Sequence, residues 1–494
     1  MPRLASSLVL LALLTPLPLR AQDFSHPDTR PAPQTPLIQQ ANNDLAAGDY
    51  PAALKILTSL NTQLPNNPQV LYDLGLTLEA LAETGPAASA ANASDTSSSN
   101  SAPAPASPCS SSSSSSASVQ TGPSSADATA AESCYRAAIA ADQNFPPPHV
   151  ALGLLLARTG RPTEARVQLN AALDLPNVPD PLKARVWRAL ARLDLNGDPA
   201  HSLPSNPTAA STDLLAALKL APEQPEDVLL SAQIAEATPD LAAAERAYRR
   251  YLALPGNAND PDATSALAHI LLAQHRPADA ETLLTPALAA HPEEPSFSAQ
   301  LAQAWLDSGD PAKAARAVPL VESLHAKNPN NTAITRLLAR IYVETGHPDQ
   351  ADPLYASLIS LESIHPDPTL LTARADALMR LHRPAEAEKL LQQAIANPHS
   401  FPTPDDLVDA ATHLAFAASE IDDPRTTLQA LALSATVQPP SPSSLFLEAT
   451  ARDALHQSSQ AVDSYRKFLA AAAGKYPEQE SQARQRLNAL QHAK

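Results

Sequence analysis

Small and large apolar residues recur along this chain in a repeating triplet. Apart from two long interruptions, residues 36–476 place apolar side chains three or four positions apart, which is the period of an α-helix. In each triplet a small residue is followed by Ala twelve positions later, and by a large apolar residue four positions after that. Four consecutive triplets begin 34, 37 and 36 residues apart. The triplets are Ala41-Ala53-Leu57, Gly153-Ala165-Leu169, Ala232-Ala244-Tyr248, Ala268-Ala280-Leu284, Ala302-Ala314-Val318, Ala339-Ala351-Tyr355, Ala375-Ala387-Leu391 and Ala449-Ala461-Tyr465.

A proline-containing turn separates the two predicted helices in five of the units. Pro suits the first turn of a helix, where its missing N–H would have no partner. Gly suits the left-handed residue that ends the preceding helix, and His tolerates a positive φ better than most residues. We therefore interpret the turn histidines as backbone residues rather than metal ligands; they are His275, His347, His382 and His456. The turns read Gly160-Arg161-Pro162, His275-Arg276-Pro277, Gly309-Asp310-Pro311, Gly346-His347-Pro348 and His382-Arg383-Pro384.

This pattern resembles the tetratricopeptide repeat family. The resemblance implies an all-α fold, a right-handed α-solenoid of about eleven helix-turn-helix units. Small residues would let the two helices of a unit approach closely. Large residues would fill the groove between consecutive units, because one helical hairpin cannot bury its apolar face alone. The matching residues are the small Gly153, Ala268 and Ala339, the alanines Ala165, Ala280 and Ala351, and the terminal prolines Pro65, Pro222, Pro292 and Pro329.

Three units depart from this pattern. The second unit is split: Gly75 belongs to its first helix and Ala131 to its second, an interval 44 residues longer than the usual twelve. Thr427 replaces the expected Ala of a later unit, and the unit near Lys183–Asn196 has no clear register. We predict a solenoid over residues 37–476 with insertions at about 84–129 and 196–210, followed by a capping helix and tail at 477–494.

The N-terminal sequence has the charge and apolar pattern of a signal peptide, which predicts export. Arg3 precedes an apolar run from Leu4 to Leu14, and residues 19–21 precede Gln22 as a cleavage site would. We therefore assign residues 1–21 to a signal peptide; an anchor that stays attached is the alternative. The predicted location is periplasmic or extracellular. After cleavage no apolar stretch is long enough to span a membrane.

Two segments are too polar to fold. Residues 22–36 are polar and Pro-rich, and the insertion at 84–129 contains an unbroken serine run at 110–116. Neither can bury enough apolar surface to offset its ordering entropy, so we predict disorder. The insertion is then a solvated linker or, alternatively, a modified or partner-binding segment.

The two cysteines, Cys109 and Cys134, would lie in an oxidising compartment after export. They could form a disulfide or remain free thiols, because the sequence does not give the Cα separation that a disulfide requires.

Composition and motifs argue against catalysis. The chain has 50 Pro but only 11 Gly, and it contains no Gly-rich phosphate loop, nucleophile elbow or His-Glu-x-x-His motif. We predict no enzyme activity, no cofactor and no metal. The net charge of −17 disfavours nucleic acid as a partner. Trp187 and Trp305 are spaced like core residues of helices.

The resemblance implies a partner groove lined by the first helix of each unit. Arg336 and Arg340 are four residues apart, hence on one side of a helix, and two guanidiniums could hold a carboxylate-bearing peptide. The alternative is an ordinary solvated face with local ion pairs. The full set of candidate groove residues is Gln300, Gln303, Arg336, Arg340, Asp376 and Arg380.

The resemblance favours a scaffold that holds a protein or peptide partner, and the predicted export places this scaffold in the cell envelope. Two alternatives are a self-associating structural component of the envelope and a docking arm for an enzyme. No segment outside the repeats is both long and apolar enough to form a separate catalytic domain.

Overall fold

The computed structural model describes residues 36–84, 109, 125–198, 203–361 and 366–492. These residues contain twenty-three α-helices, one short 3-10 helix at Pro398–Ser400 and one isolated β-bridge between Asp198 and Leu203. The predicted all-α repeat fold is confirmed. The predicted signal peptide, nearly all of the 22–36 segment and most of the 84–129 insertion lie outside the described residues.

The described chain divides into two compact units at residue 258. Residues 36–258 form α1 (Pro36–Ala47), α2 (Tyr50–Gln63), α3 (Pro68–Thr84), α4 (Ser125–Ala141), α5 (Pro146–Arg158), α6 (Pro162–Asp174), α7 (Asp180–Asn196), α8 (Pro207–Leu220), α9 (Pro225–Ala237) and α10 (Leu241–Leu252). Residues 259–492 form α11 (Pro261–Ala273), α12 (Pro277–Ala290), α13 (Pro295–Asp307), α14 (Pro311–Lys327), α15 (Thr332–Glu344), α16 (Pro348–Leu361), α17 (Pro368–Arg380), α18 (Pro384–Ile395), α19 (Pro404–Glu420), α20 (Pro424–Ser434), α21 (Pro442–Ala454), α22 (Ser458–Ala472) and α23 (Pro477–His492).

Each odd-numbered helix up to α21 packs against the next even-numbered helix, giving eleven hairpins in the described residues. Nearly all residues of the predicted triplets are buried, as the packing argument requires. Val318 is an exception: it is half-buried, whereas Ala317 and Val321 are fully buried on the same helix. Thr427 is also buried, and its hydroxyl donates to the Asp423 carbonyl at 2.8 Å, which explains why a polar residue fits an Ala position.

The turns within hairpins follow the predicted backbone chemistry. Gly160 and Gly346 have positive φ values, and His275, His382 and His456 adopt φ values of 57–58° at their own turns. His347 differs because the preceding Gly346 takes the positive φ instead.

An Arg-Pro-x-acid motif also recurs at these turns. Arg161, Arg276 and Arg383 each precede the Pro that starts a helix, and each pairs at 2.6 Å with the acidic residue three positions later. The guanidiniums of Arg161 and Arg383 additionally reach an acid on the preceding hairpin. Each of these two arginines therefore joins two hairpins.

The second hairpin forms although forty residues lie between the end of α3 and the start of α4. Gly75 allows the close approach: a Cβ added there would lie 2.6 Å from Cδ1 of Tyr135. α4 begins at Ser125, a few residues before the predicted end of the insertion. A disulfide joins Cys109 to the fully buried Cys134, with their Cα atoms 5.0 Å apart.

The fourth hairpin contains the second insertion. α7 and α8 pack together across residues 197–206, and the Asp198–Leu203 bridge closes the base of this loop. The extra residues explain why the register near Lys183–Asn196 is obscure: Ala191 and Ala210 are buried in one cluster but lie nineteen residues apart rather than twelve.

Helix α23 packs against α22 at the C-terminal end of the described chain. Ala483 is buried in a cluster with Tyr465 and Phe468. The Glu480 carboxylate is also buried and accepts from the Gly474 backbone N–H at 2.7 Å.

Candidate functional site

The arginines of α15 already have acidic partners from the chain itself. Arg336 Nη2 lies 2.8 Å from Asp367 Oδ2, at the start of α17. Arg340 Nη2 lies 3.1 Å from Asp307 Oδ1, and Arg340 Nη1 donates to Gln303 Oε1. These contacts match the alternative of local ion pairs, and an incoming carboxylate would have to compete with both acids.

The other candidate groove residues also have partners within the chain. Gln303 belongs to the Arg340 network and donates from Nε2 to Asp307 Oδ2, whereas Asp376 and Arg380 pair with each other at 3.1 Å on α17. Gln300 does not line an open face. It is only 8 % exposed, and its Nε2 donates to the Ser265 carbonyl at 3.0 Å. Gln300 lies two residues before the small Ala302, and its side-chain amide points toward α11, which contains Ser265.

A groove with open space is present on the first helices of hairpins two to four. The space between α3, α5 and α7, including the part that is open to solvent, is about 420 Å³. The rim and walls combine apolar with charged side chains. They are Tyr72, Leu76, Glu79, Glu83, Pro147, Val150, Ala151, Leu154, Arg158, Leu182 and Arg185.

Aromatic packing holds the apolar side of this groove. The Tyr72 ring meets Phe145 edge-on at a centroid distance of 5.8 Å and lies 6.0 Å from Tyr135. Phe145 and Tyr135 are almost fully buried, so Tyr72 stands on a rigid base. Rigid aromatic surfaces of this kind lose little conformational entropy on binding.

One polar network borders the groove. The Arg158 guanidinium pairs with both Glu79 and Glu83, and the Tyr135 hydroxyl donates to Glu79. Burial raises the pKa of Tyr135 well above 10 and raises the pKa of Glu83. Burial and, secondarily, the neighbouring charge of Arg185 lower the pKa of Arg158. A second guanidinium, that of Arg185, therefore lies close to this network.

Arg185 differs from Arg158 in lacking an acidic partner within the described residues. Its side chain is half-buried at the groove, next to a guanidinium already paired with two glutamates. By sequence it is one of three arginines of α7, and nothing in the repeat pattern distinguishes it from the others. Only the fold shows which arginines are paired.

Both tryptophans pack as predicted, to different degrees. Trp305 is 7 % exposed, donates its indole N–H to Glu281 at 2.9 Å and lies under the Arg316 guanidinium at 4.5 Å. Trp187 is half-buried against the core of residues 36–258.

Another cavity, of about 290 Å³ including space open to solvent, lies beside the loop of the fourth hairpin. Asp194 on its wall pairs with Arg166 at 2.5 Å. Burial and the neighbouring Asp194 carboxylate raise the pKa of Asp213 to about 6.

The raised pKa of Asp213 predicts a pH dependence of stability. The folded chain binds this proton more tightly than the unfolded chain, so the contribution of Asp213 to stability is fully present below about pH 4 and is lost as the pH rises through about 6. After allowance for solvent screening we expect a loss of about 1 kcal/mol. Urea unfolding at about pH 4.5 and 7 should show this loss in the parent and not in Asp213→Asn; identical pH dependence of the two would contradict the assignment.

Within the residues that the structure describes, no three His, Cys, Asp or Glu side chains are arranged to hold a metal ion. None of the described helices is both long and apolar enough to cross a bilayer.

Solved tetratricopeptide-repeat structures resemble parts of this chain. A protein from Parabacteroides merdae is 15 % identical, with 54 % of this chain and 99 % of that protein covered and a TM-score of 0.38. A protein from Thermus thermophilus is 20 % identical over 39 % of this chain and 99 % of its own, with a TM-score of 0.33. YrrB is described as having an unusual peptide-binding site. It is 14 % identical over 40 % of this chain and 95 % of its own, with a TM-score of 0.33.

Identities and TM-scores this low do not transfer any ligand to this chain. No curated protein sequence matches it. Family profiles do match by sequence: three tetratricopeptide-repeat profiles cover residues 146–171, 265–320 and 313–362. These segments correspond to α5–α6 and to the helices from α11 to α16, where the triplet spacing is regular. Residues 146–171 and 265–362 of this chain therefore consist of tetratricopeptide repeats.

Proposed function

We propose that this chain is an exported scaffold that holds a protein or peptide partner in the groove of α3, α5 and α7. The observation that supports this site is an open groove with apolar walls, which is a common feature of binding sites. Tetratricopeptide repeats serve protein–protein interaction, and this function requires no catalytic group.

Export is part of the proposal. The N-terminal charge and apolar pattern favours it, and the disulfide between Cys109 and Cys134 suits an oxidising compartment. The partner would then be a component of the same compartment, the cell envelope.

A groove variant tests this function. We expect the tagged chain to capture a partner from envelope extract, and Leu154→Glu to reduce that capture about tenfold or more by placing an unpaired charge on the apolar wall. Quantitative mass spectrometry of the captured proteins measures the difference. N-terminal sequencing of the recovered chain should show Gln22 first.

Two further variants locate the interface. Val167→Glu introduces the same charge on α6 at a side chain that is 61 % exposed and outside the groove, so it should capture normally. Arg340→Gln tests the α15 face. Loss of capture with Arg340→Gln but not with Leu154→Glu would place the partner on α15 and contradict the proposed groove. A chain that captures nothing and self-associates in sedimentation experiments would instead favour a structural role.

A further inference from the structure

We propose that the groove of α3, α5 and α7 binds an extended internal segment of a partner in which an Asp or Glu side chain stands next to a large apolar side chain. The carboxylate would meet Arg185. This inference rests on the proposed function and adds the chemistry of the partner to it.

Three successive first helices supply the apolar surface of the groove. Tyr72 and Leu76 of α3, Leu154 of α5 and Leu182 of α7 all line the same void. Because the apolar wall spans three helices, a segment that crosses it presents side chains on either side of the one that meets Arg185. Burial of a single large apolar side chain there would supply the non-specific part of the affinity.

The two neighbouring guanidiniums at the groove differ in whether an acidic side chain pairs with them. Arg158 is compensated by Glu79 and Glu83, whereas Arg185 has no acidic partner in the described residues. The two cations are close enough for Arg185 to disfavour the charged form of Arg158. An anionic group bound at Arg185 would relieve this repulsion and form a charge-assisted hydrogen bond at a half-buried position.

The surroundings also limit how much negative charge the partner can carry. Glu79 and Glu83 border the groove, and the whole chain has a net charge of −17. A polyanion such as nucleic acid would be repelled by both. One carboxylate between apolar side chains fits the single uncompensated guanidinium among the groove residues that the structure describes.

Two other arginines of residues 36–258 have an acidic partner within the described residues, unlike Arg185. Arg166 pairs with Asp194 at 2.5 Å, and Arg188, one turn after Arg185 on α7, pairs with Asp227 at 2.7 Å. Replacement of Arg185 should therefore leave the fold intact, whereas replacement of Arg188 would not.

A peptide-display library tests the inference. It presents random segments about twelve residues long, with fixed sequence on both sides so that no terminal carboxylate is present. The full chain should select segments with Asp or Glu beside Leu, Ile, Phe, Tyr or Trp. For a selected synthetic segment with blocked ends, Arg185→Gln should weaken binding about tenfold, as should replacement of its acid by the amide. The two changes together should weaken binding little more than either alone, which measures their coupling.

Charge reversal and a matched control complete the test. Arg185→Glu should shift the selection from acidic to basic segments, while Arg246→Glu, an equal charge change at an exposed position of α10, should leave it acidic. Selection without acidic residues, no selection at all, or an unchanged acidic preference in Arg185→Glu would each overturn the inference. The proposed function would survive if envelope capture still depended on Leu154, so the two failures are distinguishable.

Discussion

Asp227→Asn should lower the free energy of unfolding of the region around α7 and α9 by about 3–5 kcal/mol. Asp227 is 1 % exposed, and its two carboxylate oxygens each accept from the Arg188 guanidinium at 2.7 Å. Arg188 is also buried, so removal of the charge on Asp227 leaves a guanidinium without a counterion in the protein interior. The same carboxylate accepts from the Gln224 backbone N–H, and its loss also weakens the start of α9.

The chain offers a fluorescent probe for this measurement. It has two tryptophans, and Trp187 immediately precedes Arg188. Urea unfolding followed by Trp187 fluorescence in a Trp305→Phe background would report this region alone. Repeat proteins can unfold in stages, so a local probe is more informative than total helicity.

Two controls separate the buried ion pair from a general charge effect. Glu226→Gln makes the same charge change at the exposed neighbouring residue and should cost less than about 0.5 kcal/mol. The double variant Arg188→Met/Asp227→Leu should recover most of the lost stability, because no unpaired charge remains buried. An unfolding midpoint for Asp227→Asn equal to that of Glu226→Gln would contradict the assignment.

Ala351→Trp should destabilise the hairpin of α15 and α16 by about 3 kcal/mol through overpacking. Ala351 is fully buried, as is Ala339 on the facing helix, so no space exists for an indole. Tyr355, one turn later, is also buried and limits movement of α16 along its axis. The hairpin must therefore open or shift to accommodate the new side chain.

Circular dichroism during urea unfolding would measure this effect, since the added Trp complicates fluorescence. Ser357→Trp places the same side chain on the exposed face of α16 and should change stability by about 0.5 kcal/mol or less. If Ala351→Trp unfolded at the same urea concentration as Ser357→Trp, the helix register derived from the triplets would be wrong.

The triplet spacing predicts most of the fold because it records contacts that are local. A small residue and the Ala twelve positions later face each other within one hairpin, so their spacing survives in the sequence. The spacing fails where the loop within a hairpin changes length, as between Ala191 and Ala210. It also misplaces Val318, where the buried residues of α14 are Ala317 and Val321.

The candidate site was less predictable because it depends on contacts between hairpins. Arg336 and Arg340 stand on one side of α15, as their spacing indicates, but their acidic partners are Asp367 and Asp307, more than thirty residues away. Arg185 forms no ion pair among the described residues, and the repeat pattern contains no signal of this. Whether an arginine is paired with an acid depends on the neighbouring helices. The sequence alone therefore cannot show which arginines of a helix face are paired.

Both long interruptions fall between the two helices of one hairpin and not between hairpins. α3 packs against α4 across forty residues, and α7 packs against α8 across ten. The entropic cost of closing a loop grows only with the logarithm of its length, so such additions change the packed repeats little. These turns are therefore permissive positions: sequence can accumulate there during evolution, and an epitope or a reporter protein could be inserted there without altering the order of the stacked hairpins.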